Sequence, residues 1–98
     1  MAKVIWTNRA IKDLESIAEY ISKDSSHYAK LTLEKIIDTE LIIQENPKIG
    51  RIVPELNDKS IREYIKGNFR IIYQTDNLRI NVLTVFHSAR LFSKEYIK

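Results

Sequence analysis

Six side chains in the second half of the chain carry the chemistry this sequence could perform. Arg70 and His87 stand on neighbouring strand-like runs, Arg90 follows closely, and Arg51, Arg62 and Lys66 lie near them in sequence. Gathered on one sheet face, such groups would hold a phosphate and present an acid or base to a ribose 2′-hydroxyl. Histidine titrates near neutrality, and the planar fork of arginine stabilises developing negative charge. The same residues also have a plainer use. Glu63 opposite Arg70 makes an ordinary cross-strand ion pair, and a histidine at a strand end often only caps or is solvated. Tyr64, Tyr73 and Tyr96 offer rings on which bases stack, although tyrosines on strands more often pack.

Other chemistries are excluded or lack their residues. The chain has no cysteine, which removes disulfides, thiolate metal sites and a cysteine nucleophile. Its two histidines, His27 and His87, have no paired ligand spacing, so no metal site is expected. The two glycines, Gly50 and Gly67, stand alone, so neither a P-loop nor a dinucleotide fingerprint can be written. No Gly-x-Ser-x-Gly elbow occurs. No cofactor is expected.

Ninety-eight residues, 44% hydrophobic and 30% charged, are enough for one core and predict a single domain over residues 1–98. No apolar run approaches a membrane span, Met1 to Thr7 lacks the pattern of a signal peptide, and the cysteine-free composition suits the cytoplasm. The net charge of +3 is unevenly placed: residues 1–49 carry seven cations against eight anions, and residues 50–98 nine against five. Five of those nine are arginines, the side chain that grips carboxylate or phosphate at two points. Nucleic acid or an acidic protein is the partner this asymmetry suits.

Positioning these groups falls to a strand, two helices and a run of strands. Val4-Ile5-Trp6 within Lys3 to Trp6 predicts a strand, ended by the helix-capping pair Thr7-Asn8. Ile11, Leu14, Ile17, Ala18 and Ile21 then recur at helical steps, with Lys12, Asp13, Glu15, Glu19 and Ser22 on the other side. Asp24-Ser25-Ser26 breaks the pattern. A second helix is predicted from about His27 to Glu45, with Ala29, Leu33, Ile36, Ile37 and Leu41 on one face and Asn46-Pro47 as its stop. So short a connection folds the helices into an antiparallel hairpin. Beyond Gly50, strand chemistry takes over in Arg51 to Val53, Ile61 to Ile65, Phe69 to Thr75 and Leu78 to Phe86. The tail from Arg90 to Lys98 reads as a short helical turn or an extended arm. The class is α+β, with the helical hairpin packed on a small, mostly antiparallel sheet.

Hairpin closure at Asp76-Asn77 sets opposite residues on a common face. That assigns Phe69, Ile71, Tyr73, Ile80, Val82, Thr84 and Phe86 to the helices. Arg70, Ile72, Gln74, Arg79, Asn81, Leu83, Val85 and His87 fall on the other side. Closure at Lys66-Gly67 puts Glu63 across from Arg70.

In order and spacing the whole chain resembles the RelE/ParE superfamily of toxins from bacterial type II toxin–antitoxin modules. The likeness lies in Val4-Ile5-Trp6-Thr7 with Ala10, Asp13-Leu14, Ile17 and Tyr20-Ile21, then Ala29, Asn46-Pro47, Gly50-Arg51, Pro54-Glu55-Leu56 and Arg62-Glu63. It continues through Phe69-Arg70-Ile71-Ile72-Tyr73 and Val85-Phe86-His87-Ser88-Ala89-Arg90. The resemblance implies the same α+β fold and a cognate antitoxin that wraps the toxin in a hetero-oligomer. It also implies one of two targets, DNA gyrase or the ribosome with its mRNA. Arg70 matches an arginine shared by both branches. The alternating lysines that the RelE type carries on the preceding strand fall here on Ile61 and Glu63, and its arginine after the last strand falls on Ser88. The Ala-x-x-Asp-Leu opening and the His-Ser-Ala-Arg ending look more like the ParE, plasmid-stabilisation branch.

The resulting expectation is a toxin that poisons gyrase by binding, through Arg51, Arg62, Lys66, Arg70 and Arg90, with no membrane involvement. The alternative is a metal-independent mRNA endoribonuclease using Arg70 and His87. For the antitoxin, the basic second half predicts an acidic amphipathic segment that folds over the sheet edge and the groove beside the helical hairpin.

Overall fold

A computed structural model describes residues 2–97. Strand β1 (Lys3–Trp6) leads into helix α1 (Asn8–Ser22), then α2 (Ser26–Glu45), β2 (Arg51–Ile52), β3 (Ile61–Lys66), β4 (Phe69–Thr75), β5 (Arg79–His87) and a single 3-10 turn at Lys94–Ile97. The five strands form one sheet in the order β1-β5-β4-β3-β2, antiparallel except where β1 runs parallel to β5. Among the described residues no helix is long and apolar enough to cross a membrane.

The helices start where side-chain oxygens meet orphan backbone donors. Thr7 Oγ1 accepts from Ala10 N at 3.2 Å, and Ser25 Oγ accepts from Tyr28 N at 3.0 Å. Thr7 also ties the helix to the sheet, because its hydroxyl lies 2.8 Å from the Val82 carbonyl. Helix α2 is anchored to β1 at two points: Trp6 Nε1 donates to Glu40 at 2.6 Å, and Gln44 Nε2 donates to the Ala2 carbonyl at 2.9 Å. Those anchors fix its rotation and correct the expected stripe. Ile37 and Leu41 are 46% and 62% exposed, while Ala29, Ile36, Thr39 and Ile43 are buried. Thr39 is tolerated inside because its hydroxyl bonds the Ile36 carbonyl at 2.6 Å. On α1, Ile11 is also exposed, and Ala10 is the fully buried residue.

Two apolar layers sandwich the sheet. On the helix side, Ile71, Tyr73, Ile80, Val82 and Val85 of the sheet pack with Ala10, Ile36 and Ile43 of the helices. On the outer face Val53, Ile61, Ile72 and Phe86 are covered by Leu83 and by the tail residues Phe92, Tyr96 and Ile97. The tail is therefore a docked arm ending in a 3-10 turn.

The expected hairpin registers are both shifted. Gln74 pairs with Asn81 rather than Arg79, and Arg70 pairs with Ile65 rather than Glu63. A shift of two residues keeps each side chain on its face, so these slips alone are harmless. The consequential departure is a bulge in β5: Tyr73 pairs with Val82 but Ile72 pairs with Thr84, leaving Leu83 as the extra residue. Beyond it the alternation inverts. Val85 turns to the helices, where it joins Ile71, and Phe86 turns to the outer face beside Arg70.

Asp13 holds that bulge from α1. Its Oδ2 accepts from Val85 N at 3.0 Å and from Thr84 Oγ1 at 2.5 Å, and Arg9 Nε bonds Oδ1 at 3.1 Å. Asp13, expected on the solvent side of α1, thus points inward, its side chain 15% exposed. Asp13→Ala is expected to cost about 1–3 kcal/mol, because a buried N–H and a buried hydroxyl lose their acceptor together. Urea unfolding followed by circular dichroism measures it, and Glu15→Ala on the same helix should change little.

Candidate functional site

The bulge decides where the candidate residues lie. Arg51 and Arg70 are on the outer face with Glu63, whereas Arg62 and Lys66 alternate to the helix side of β3. His87, beyond the bulge, pairs with Phe69 and meets its ring edge-on at 5.6 Å between centroids. Phe69 packs against the helix-side core, so the sheet stands between His87 and Arg70. Arg90 follows β5 and places its guanidinium 5.9 Å from the centre of the Tyr96 ring. The single face expected to unite Arg70 with His87 is not formed.

Arg70 is enclosed. Its Nε donates to Glu63 Oε2 at 2.6 Å, and Nη1 and Nη2 reach the two oxygens of Glu55 at 3.3 and 3.2 Å. The guanidinium lies over Phe86 at 5.2 Å and Phe92 at 5.7 Å. Glu63 is wholly buried and also accepts from Arg51 Nε, so two cations and two carboxylates alternate along one line. Burial works against the charge of Arg70, but the hydrogen bonds to Glu55 and Glu63 outweigh it and raise its pKa. The Arg70 hydrogen bond likewise holds Glu55 below its ordinary value of 4.5. Its folded pKa being depressed, the contribution of Glu55 is complete above that ordinary value and is lost as pH falls through the folded one.

The remaining candidates are engaged differently. Arg62 Nη1 donates to the Gly50 carbonyl at 2.8 Å. Gly50 itself is hemmed in, since an added Cβ would lie 2.5 Å from the Glu63 carbonyl and 2.7 Å from the Tyr73 hydroxyl. That hydroxyl accepts from Gly50 N at 2.9 Å and donates to the Pro47 carbonyl at 2.8 Å, and burial pushes its pKa up. Asn46-Pro47 and Gly50-Arg51 are therefore parts of one joint that sets Arg51 against Glu63. His87 Nδ1 accepts from Ala89 N at 3.0 Å, which leaves Nε2 as its outward nitrogen.

His87 and Arg90 instead line a cleft of about 660 Å³ between the helical hairpin and the sheet. The sequence reading expects an antitoxin segment over the groove beside the helical hairpin, but it places neither His87 nor Arg90 in that groove. Its one legible signal was Tyr20, a large aromatic beside the apolar stripe of α1, which is 75% exposed.

Comparison with known proteins bears on the whole chain. The family described as ParE toxin of type II toxin–antitoxin system, parDE, matches residues 4–92. A protein named Toxin RelE2 from Caulobacter vibrioides is 30% identical over 93 residues, covering 93% of this chain and all of the relative. Among solved structures, the chromosomal ParDE toxin–antitoxin system of P. aeruginosa is similar with a TM-score of 0.72 and 19% identity, over 89% of this chain and 96% of the other. The toxin–antitoxin complex RelBE2 of Mycobacterium tuberculosis is similar with a TM-score of 0.64 and 17% identity, over 88% and 96%.

Proposed function

The chain belongs to the ParE toxin family of type II toxin–antitoxin systems, and from that premise we propose that it inhibits DNA gyrase by binding it and is neutralised by a cognate antitoxin. The placement of Arg70 carries this reading. An RNA-cleaving pair would need the arginine fork and the imidazole within reach of one phosphodiester. Here the fork is occupied by Glu63 and Glu55, and His87 lies across the sheet. Inhibition by binding asks for no proton transfer from the toxin. Contact with gyrase then falls to exposed groups, above all Arg51, whose side chain is 65% exposed, with Arg90 and the arm that follows it. The setting is cytoplasmic, and the neutralised form is a toxin–antitoxin hetero-oligomer.

The kinship with a protein named Toxin RelE2 favours a second reading, ribosome-dependent mRNA cleavage. One comparison separates the two. Wild type and His87→Ala are assayed in parallel for gyrase-mediated DNA breakage and for ribosome-dependent mRNA cleavage. The expected result is DNA breakage by both proteins, with His87→Ala close to wild type. Cleavage of mRNA by wild type that falls by about a hundredfold or more in His87→Ala, without any effect on gyrase, would replace the gyrase reading with the ribonuclease.

A further inference from the structure

We propose that the face of the helical hairpin turned away from the sheet is a self-association surface, through which two copies of the chain pair as a weak two-fold dimer with their α2 helices antiparallel. Ile37 and Leu41 are 46% and 62% exposed on α2, and Ile11 is 44% exposed on α1. Ile11 lies eleven residues before the end of α1 and Ile37 eleven beyond the start of α2, so the antiparallel hairpin sets them level. The anchors Trp6–Glu40 and Gln44–Ala2 hold α2 at the rotation that turns its two aliphatics into water, and rolling them inward would break both.

Charge identifies the occupant as a second copy. Lys30, Glu34, Ile37, Leu41 and Glu45 recur at steps of three or four and are all exposed, so they form one stripe along α2. A cation stands at one end of the stripe and an anion at the other. Neither Lys30 nor Glu45 has an ion-pair partner among the described residues, and Lys30 leaves even Glu34, four residues on, unbonded. Laid antiparallel across a two-fold axis between residues 37 and 38, the stripe matches itself. Lys30 then faces Glu45 of the second copy at both ends, Leu41 meets the methylene stem of the second copy's Glu34, and the two Ile37 side chains flank the axis. A two-fold contact requires opposite charges at the two ends of an aliphatic centre, whereas an unrelated partner has no need of them.

The same face keeps the pair weak. Three aliphatics per copy make a seam at the low end of specific interfaces, which corresponds to a Kd of about 10–100 μM. Asp38 lies beside the axis, where it meets its own copy, and like charges there oppose the contact. The charged ends set register and direction more than affinity, since exposed ion pairs contribute little. Arg51 lies on the outer face of the sheet, away from the hairpin, so the pairing does not compete with the proposed contact with gyrase.

Sedimentation equilibrium on the full chain from about 1 to 300 μM is the test, and it should show a monomer–dimer equilibrium. Leu41→Asp, verified as folded by circular dichroism, should remain monomeric over the whole range. Lys30→Glu and Glu45→Lys should each weaken the dimer about fivefold or more, because each sets like charges against each other at both ends. Mixed in equal amounts, these two variants should pair about as tightly as wild type, since their heterodimer restores an opposite pair at each end. A wild-type chain that stays monomeric over the whole range, or one that forms larger assemblies without a dimer, would overturn the proposal. So would a Leu41→Asp chain that pairs as tightly as wild type, or a mixture of the two charge variants no tighter than either alone.

Discussion

Arg70→Ala is expected to lower the unfolding free energy by about 3–5 kcal/mol, the range for stripping one partner from a buried ion pair. Glu63 would stay wholly buried with only Arg51 to meet it, and the Arg51 side chain is 65% exposed and screened by water. Phe86 and Phe92, the two adjacent rings that the guanidinium covers, would lose their common neighbour. A domain of this size has on the order of 5–15 kcal/mol in total, so the variant should melt far lower or fail to accumulate. Glu63→Gln combined with Arg70→Met should be closer to wild type than Arg70→Ala, because the buried charge leaves with its partner. Urea unfolding of the set measures this. A loss below about 1 kcal/mol for Arg70→Ala would show that solvent reaches Glu63 freely. The same experiment guards against a misreading of activity, since lost toxicity in Arg70→Ala reports on the fold before it reports on a target.

The second large effect lies on the other side of the sheet. Ile36→Asp should unfold the chain, because Ile36 is 1% exposed in the helix-side core and a carboxylate there has no partner. Leu41→Asp on the same helix should be nearly neutral, the leucine being 62% exposed. Thermal melts of the two variants test the rotation of α2 directly. Equal tolerance of both would mean that the anchors Trp6–Glu40 and Gln44–Ala2 do not fix the helix.

That pair of variants also marks where reading the sequence stops. The elements were legible because their signals are local: Thr7 and Ser25 cap, Asn46-Pro47 stops, and β-branched runs alternate. The rotation of α2 was not, since Ile36 and Ile37 are equally apolar and only tertiary anchors choose between them. The Arg70–Glu63 pairing was legible as a cross-strand contact, and a slip of two residues left it intact as a diagonal one. The site was lost at Leu83. A bulge there costs one extra residue and leaves no mark in a run of strand-forming residues such as Val82 to Val85. Its signal sat elsewhere, in Asp13, a carboxylate that supplies the acceptor the interrupted ladder lacks. A partner so distant in sequence cannot be inferred from spacing. One residue of misalignment was enough to put His87 on the wrong side of the sheet.

The place of β1 beside β5 has a consequence in time. Thr7 bonds the Val82 carbonyl across 75 residues of chain, and among the described strands β1 pairs only with β5. During synthesis the helical hairpin can form from nearby contacts, but the sheet cannot close until β5 has left the ribosome. Such distant pairing is slow to form, and until it forms the apolar faces of the hairpin stay open. The nascent chain therefore becomes a folded toxin only once β5 has been made, and antitoxin already present meets it at that moment.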